Sequence, residues 1–127
     1  MSSYVFISPG DPAGIGPEIT LKSLKNLNEK HKFVIAGDIQ YFENLSASLK
    51  LGFKFIPYGG SKTTSSSKLI EVINIPLQKN PVLGSSSVNN AKYILEVLST
   101  CAEHCMDNTK NILVTGPINK ETISASG

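Results

Sequence analysis

Apolar and polar positions alternate along this chain in a way that predicts short buried strands separated by one-sided helices. The run from Tyr4 to Ser8 is short, aromatic and β-branched, and Pro9 and Gly10 stop it, so it reads as a buried strand running into a loop. A helix is predicted over residues 15–27, because Gly16 can cap, Pro17 suits the first helical position, and Ile15, Ile19, Leu24 and Leu27 make an apolar face. Lys22, Ser23, Lys25 and Asn26 then face water. Residues 33–36 read as a second strand, Gly37 and Asp38 as a turn, and Ile39, Phe42, Leu45 and Leu49 as a helical stripe. Residues 53–56 and 69–75 are further strand candidates. Between them, residues 58–68 shift to Gly, Ser, Thr and Lys, too small and polar to pack, and a surface loop is expected. Pro76 and Pro81 bracket an irregular connection.

The longest predicted helix covers residues 86–106, with Val88, Ala91, Leu95, Leu98, Ala102 and Cys105 spaced by three and four. Ile94, Val97 and Cys101 widen that stripe beyond what a one-sided helix needs, so the helix is either deeply buried or shared with a second subunit. The last unit repeats the first: a strand over 111–115, a turn at Gly116-Pro117, and a helix start capped by Asn119. Strands separated by helical segments imply an α/β fold with a parallel-rich sheet and helices on both faces, since parallel neighbours need crossovers. Because a new helix has barely begun at the end, residues 1–127 are expected to be the N-terminal α/β portion of a longer protein.

Composition narrows the function classes. All 12 basic residues are lysines, scattered from Lys22 to Lys120, and 10 acidic residues leave a net charge of only +2. A nucleic-acid binder concentrates cations and uses the guanidinium fork, so a small-molecule protein is expected instead. No apolar run reaches the roughly 18 residues of a membrane span, and residues 1–8 lack a signal-peptide layout, which predicts a cytoplasmic protein without a membrane partner. Cys101 and Cys105 lie four apart in one predicted helix and are expected to be reduced thiols on its apolar side. With His104 between them they do not make the four-ligand pattern of a structural zinc site, and the other histidine is the distant His31.

Two loops carry the candidate chemistry. Residues 8–18, SPGDPAGIGPE, join a strand end to a helix start, and in open α/β sheets ligands bind beyond the carboxyl ends of strands. Glycine admits a ligand close to the backbone, and proline holds the loop rigid. Gly14-Ile15-Gly16 is followed by Pro17, Glu18 and Ile19, so the dinucleotide glycine fingerprint is incomplete, and no Walker loop occurs. Asp11 and Glu18 would repel a phosphate and suit hydroxyl or amide partners; for Glu18, a favourable interaction with the helix start is an equal reading. Residues 115–121, TGPINKE, add a hydroxyl, an amide and a cation at the second strand end. Asp38 stands where dinucleotide folds place a ribose-binding acid, an analogy weakened without the fingerprint.

SPGDPAGIGPE together with ILVTGPINKETISASG at residues 112–127 resembles the 4-hydroxythreonine-4-phosphate dehydrogenases of pyridoxal phosphate biosynthesis. The resemblance implies an isocitrate/isopropylmalate dehydrogenase-like fold of two α/β domains around a cleft, assembled as a homodimer. It implies oxidation, with decarboxylation, of a small phosphorylated hydroxy amino acid by NAD (or NADP), helped by a divalent metal such as zinc. The Gly-His-Thr-Glu segment and the three metal-binding histidines of that family are absent from these 127 residues, so no catalytic residue and no metal ligand is transferred, and the chain alone is expected to be inactive. What carries over is Asp11, Gly14, Ile15 and Gly16 on the cofactor side and Thr115 and Lys120 on the substrate side. A related dehydrogenase for another phosphorylated hydroxy acid, such as a phosphothreonate, and a non-catalytic remnant or dimerisation module are the alternatives.

Overall fold

Short runs rich in β-branched and aromatic residues pair into one parallel sheet in the computed structural model, which describes residues 4–25, 32–59, 68–77, 88–107 and 111–116. In chain order the elements are β1 (Tyr4–Ser8), α1 (Gly16–Lys25), β2 (Lys32–Gly37), α2 (Ile39–Ser48), β3 (Lys54–Pro57), β4 (Leu69–Asn74), α3 (Val88–Asp107) and β5 (Ile112–Thr115). The strand order is β3-β4-β2-β1-β5, with every neighbouring pair parallel. This is the expected α/β class. Within the loop expected over 58–68, Tyr58, Gly59 and Lys68 are turn residues and 60–67 lie outside the described residues, as do Leu27, Pro81 and Asn119.

Alternation along each strand builds two cores. Val5 and Ile7 of β1, Ile35 of β2 and Val72 of β4 face α1 and α2, meeting Leu21, Leu24 and Phe42. Phe6 of β1 and Val34 and Ala36 of β2 face the other way, onto Val97 and Cys101 of α3. A right-handed crossover explains the division: α1 and α2 carry the chain away from β1 in one direction, whereas α3 carries it back past β1 to β5, so α3 must cross on the opposite face.

Helix boundaries follow local chemistry. Asp38 caps α2, its Oδ1 accepting from the Tyr41 backbone N–H at 3.1 Å. At the other end, Leu51 N–H donates to Ser46 O and Lys50 N–H to Ala47 O, with Lys50 at φ 57, the Schellman arrangement with lysine in place of the usual glycine. Gly37 has no substitute, because a Cβ there would lie 2.7 Å from both the Phe42 ring and the Tyr93 hydroxyl oxygen.

Two helix faces differ from expectation. In α1 the buried line is Pro17, Leu21 and Leu24, while Ile15 and Ile19 are exposed, at 66% and 49%. Proline and leucine at spacings of four and three compete with the isoleucine stripe, and the sheet takes the former. In α3 the line against the sheet is Ala91, Ile94, Val97 and Cys101, and Leu95 of the expected stripe is 42% exposed. Both α3 lines have helical spacing, so periodicity identifies the helix without ranking its faces. A carboxylate at position 95 would therefore not be buried within this subunit, contrary to the expectation for that stripe.

Replacing Ile94 by Ala is expected to cost about 2–5 kcal/mol, as a large-to-small change in a packed core does, and Leu95→Ala well under half of that. Urea midpoints of the two variants compared with the parent chain check this; equal losses would put both residues in one buried face.

Candidate functional site

The chain reverses its direction of travel across the sheet at β1. It leaves β1 towards β2 and later returns, through α3, to β5 on the other side, so the connection leaving β1 and the one arriving at β5 lie on opposite faces of the sheet. Such a switch point is where open α/β sheets bind ligands. The starts of the two predicted loops are neighbours: Ser8 is in register with Thr115, and Gly116 N–H donates to Ser8 O at 2.6 Å. A Cβ on Gly116 would drive into the Pro9 carbonyl, lying 2.7 Å from its carbon, so only glycine permits this approach.

The β1 loop is held by its own turn chemistry. Asp11 Oδ1 accepts from Ala13 N–H at 2.9 Å, and Gly14 N–H donates to Asp11 O at 2.9 Å. Asp, Pro and Gly thus take the first, second and fourth places of a β-turn, where each is favoured. From α2, the Tyr41 hydroxyl donates to Pro12 O at 2.8 Å. Beneath the loop, Pro9, Gly10, Pro12, Tyr41, Tyr93 and Val97 close a recess too tight for a water molecule. Tyr41 is pushed up to about 12 by burial first, then by the carboxylates of Asp11 and Glu18. Tyr93 is also raised, by burial above all and by the Asp38 and Tyr41 charges, against a lowering contribution from its hydrogen bond with the Asp38 backbone N–H.

Of the residues singled out in the sequence, Asp11 is buried in the turn, Gly14 closes it, and Gly16 is buried at the first position of α1. Ile15 occupies the N-cap position, its carbonyl accepting from Ile19 N–H at 3.0 Å, and projects an apolar side chain with no capping atom into solvent. Thr115 is exposed beside Ser8. Lys120 lies outside the described residues. Glu18 is exposed and pairs with Lys22 at 2.9 Å, one turn along α1. Asp38 spends both oxygens on structure, Oδ1 on the α2 cap and Oδ2 on Leu77 N–H at 2.8 Å.

One residue escaped the sequence reading. Ser8 is fully buried, and its Oγ has no hydrogen-bond partner among the described residues. Its place as the last residue of a buried strand was legible, but a hydroxyl at a strand end ordinarily finds a backbone partner, so no sequence signal marks it.

No three metal-ligating side chains come together among the described residues. His104 stacks on Phe6 with ring centroids 5.1 Å apart and meets Tyr58 edge-on. Burial raises the Cys101 thiol to about 12, with a smaller contribution from Cys105, and raises Cys105 as well, which makes both inert packing groups. The described donors do not fit a metal centre.

Fold and loops define a doubly wound α/β protein whose strand order reverses at β1. Comparison with known proteins makes the class specific. Residues 28–127 match the model of the family described as pyridoxal phosphate biosynthetic protein PdxA, and the chain belongs to that family. Among curated relatives, the 4-hydroxythreonine-4-phosphate dehydrogenase of Saccharophagus degradans is 32% identical over 126 residues, 98% of this chain and 37% of that protein. Its Vibrio cholerae counterpart is 28% identical over 99% of this chain and 38% of its own length. The chain therefore spans under two-fifths of the length of these relatives. The crystal structure of the Burkholderia phymatum 4-hydroxythreonine-4-phosphate dehydrogenase superposes with a TM-score of 0.84 at 20% identity, covering all of this chain and 40% of that one. The Klebsiella pneumoniae enzyme gives 0.82 at 23%, with the same coverage, and at these identities the likeness is one of fold.

The raised Tyr41 predicts an alkaline signature. Its folded value, about 12, exceeds the ordinary 10, so its stabilising contribution is complete below pH 10 and is lost as pH rises towards 12. Tyr41→Phe should flatten part of the decline in stability over that window, with Tyr93, Cys101 and Cys105, also raised, contributing to the rest. Denaturant midpoints at pH 9, 10 and 11 read the difference; parallel declines in both proteins would contradict the assignment.

Proposed function

We propose that the full-length protein bearing this chain oxidises 4-hydroxythreonine 4-phosphate with NAD, the keto acid so formed then losing carbon dioxide. The observation that carries this reading is the family match across residues 28–127, joined to a β1 loop of the expected sequence standing at the switch point. The names of the relatives support the substrate, a small phosphorylated hydroxy amino acid. When bound, the nicotinamide supplies the hydride acceptor. The chain's own contribution is positional: Gly14 and Gly16 let the cofactor approach backbone, Ile15 offers it an apolar surface, and Asp11 fixes the loop and faces its polar part. Lys120 belongs to the substrate side.

A divalent metal such as zinc is assigned to the portion of the protein outside this chain, and no step is routed through it here. Homodimer formation is supported by the α3 surface left over after the sheet is covered, where Leu95 and Met106 are exposed. A cytoplasmic location accords with the pathway, and none of the described helices is long and apolar enough to cross a membrane.

Two outcomes are expected in an assay that follows NADH absorbance. The full-length protein should reduce NAD in the presence of 4-hydroxythreonine 4-phosphate, while residues 1–127 alone should not exceed a protein-free control; an inactive full-length protein would refute the reading. Asp11→Asn should raise the KM for NAD with the melting temperature held within about 2 °C, because the amide oxygen preserves the bond from Ala13 N–H. Asp11→Ala loses that acceptor and should lower the melting temperature as well, which is why the asparagine variant is the cleaner test of cofactor contact.

A further inference from the structure

Ser8 is the residue that the fold does not account for. It is fully buried at the carboxyl end of β1, and its hydroxyl has no partner among the described residues. Buried hydroxyls are almost always hydrogen-bonded, and the exceptions ask for a function. Ser8 lies two residues after Phe6 and Thr115 two after Leu113, so by strand alternation both project to the α3 side of the sheet. They are register partners on adjacent parallel strands, which run about 4.8 Å apart, so two hydroxyls flank one point at the mouth of the switch. The Gly116 N–H bond to Ser8 O and the bare Gly116 Cα against Pro9 lock that spacing. Thr115 is exposed and Ser8 enclosed, so a ligand group would approach the pair from the Thr115 side.

The chemistry of the neighbourhood selects the group. Among the described residues of the two loops, 9–15 and 115–116, there is no cation, and the charge present is the Asp11 carboxylate. A phosphate would meet the Asp11 carboxylate there, whereas a hydroxyl or carboxamide can both donate to and accept from serine and threonine. We propose that Ser8 and Thr115 form a hydroxyl-lined subsite for a neutral hydrogen-bonding group of the dinucleotide, a ribose hydroxyl or the carboxamide. This assignment rests on the dinucleotide reading given above and adds to it a contact residue, Ser8, on the opposite side of the sheet from α1.

Titrations of the full-length protein with NAD, with nicotinamide mononucleotide and with AMP test it. Ser8→Ala and Thr115→Val should each weaken NAD binding about five- to tenfold, the loss expected for one hydrogen bond to a bound ligand. Weakening with nicotinamide mononucleotide, AMP or both supports the subsite and shows which portion of the dinucleotide it holds. Without ligand, Ser8→Ala should melt at the same or a higher temperature, since it removes an unsatisfied buried hydroxyl, and this separates ligand contact from structural support. Parent-like NAD affinity in both variants would overturn the subsite and leave the dinucleotide reading standing. A Ser8→Ala protein that loses stability and affinity together while Thr115→Val binds normally would also overturn it. A parent protein that fails to bind NAD would overturn both.

Discussion

Everything else in the structure hangs on β1 being buried on both faces and both edges. Phe6 packs against α3 while Val5 and Ile7 pack against the α1 and α2 side, and β2 and β5 hydrogen-bond to the two edges. Full burial of one such side chain contributes roughly 1.5–3 kcal/mol, so this strand anchors both cores at once. It also dictates topology, because a strand enclosed in this way can be reached from two directions only if the connections cross on opposite faces. The switch point is a consequence of that enclosure.

Rigidity of the β1 loop follows from how it is tied down. Its turn is closed internally by Asp11 and Gly14, its second proline carbonyl is held by Tyr41 from α2, and its start is pressed by Gly116 from β5. Three separate elements therefore set the position of one loop. A loop so constrained loses little further entropy when a ligand arrives, which is the physical value of its proline and glycine content. Asp38 does comparable service nearby, joining the α2 cap to the chain after β4.

Fold class and element order were legible in the sequence because they rest on period and punctuation, which are local. What was not legible was choice among faces. Pro17, Leu21 and Leu24 prevail over Ile15 and Ile19, and Ile94 and Val97 over Leu95, because the sheet, assembled from distant segments, decides which line it can receive. Asp38 shows the same limit for polar groups. A strand-end acid suits a ribose or a cap equally well until Leu77, 39 positions on, takes its second oxygen. For His104, set between two cysteines, the sequence already favoured packing over ligation, and its ring stacks on Phe6.

The positions where local rules fail gather at the carboxyl edge of the sheet. Ile15 is an apolar residue at an N-cap, Ser8 a buried hydroxyl without a partner, and Gly116 a glycine demanded by contact rather than by φ. Elsewhere, Lys50 at positive φ after α2 apart, the chain obeys those rules: Asp38 caps, Lys22 answers Glu18 across a turn, and Asn111 ties the start of β1 to the end of α3. A sequence consistent almost everywhere accepts local cost where another constraint acts, and such sites are where function is expected. None of the three residues bears a charge or stands in a metal-binding pattern. A search restricted to titratable groups would pass over this edge, whereas an accounting of unmet caps, unpaired hydroxyls and forbidden Cβ atoms leads to it.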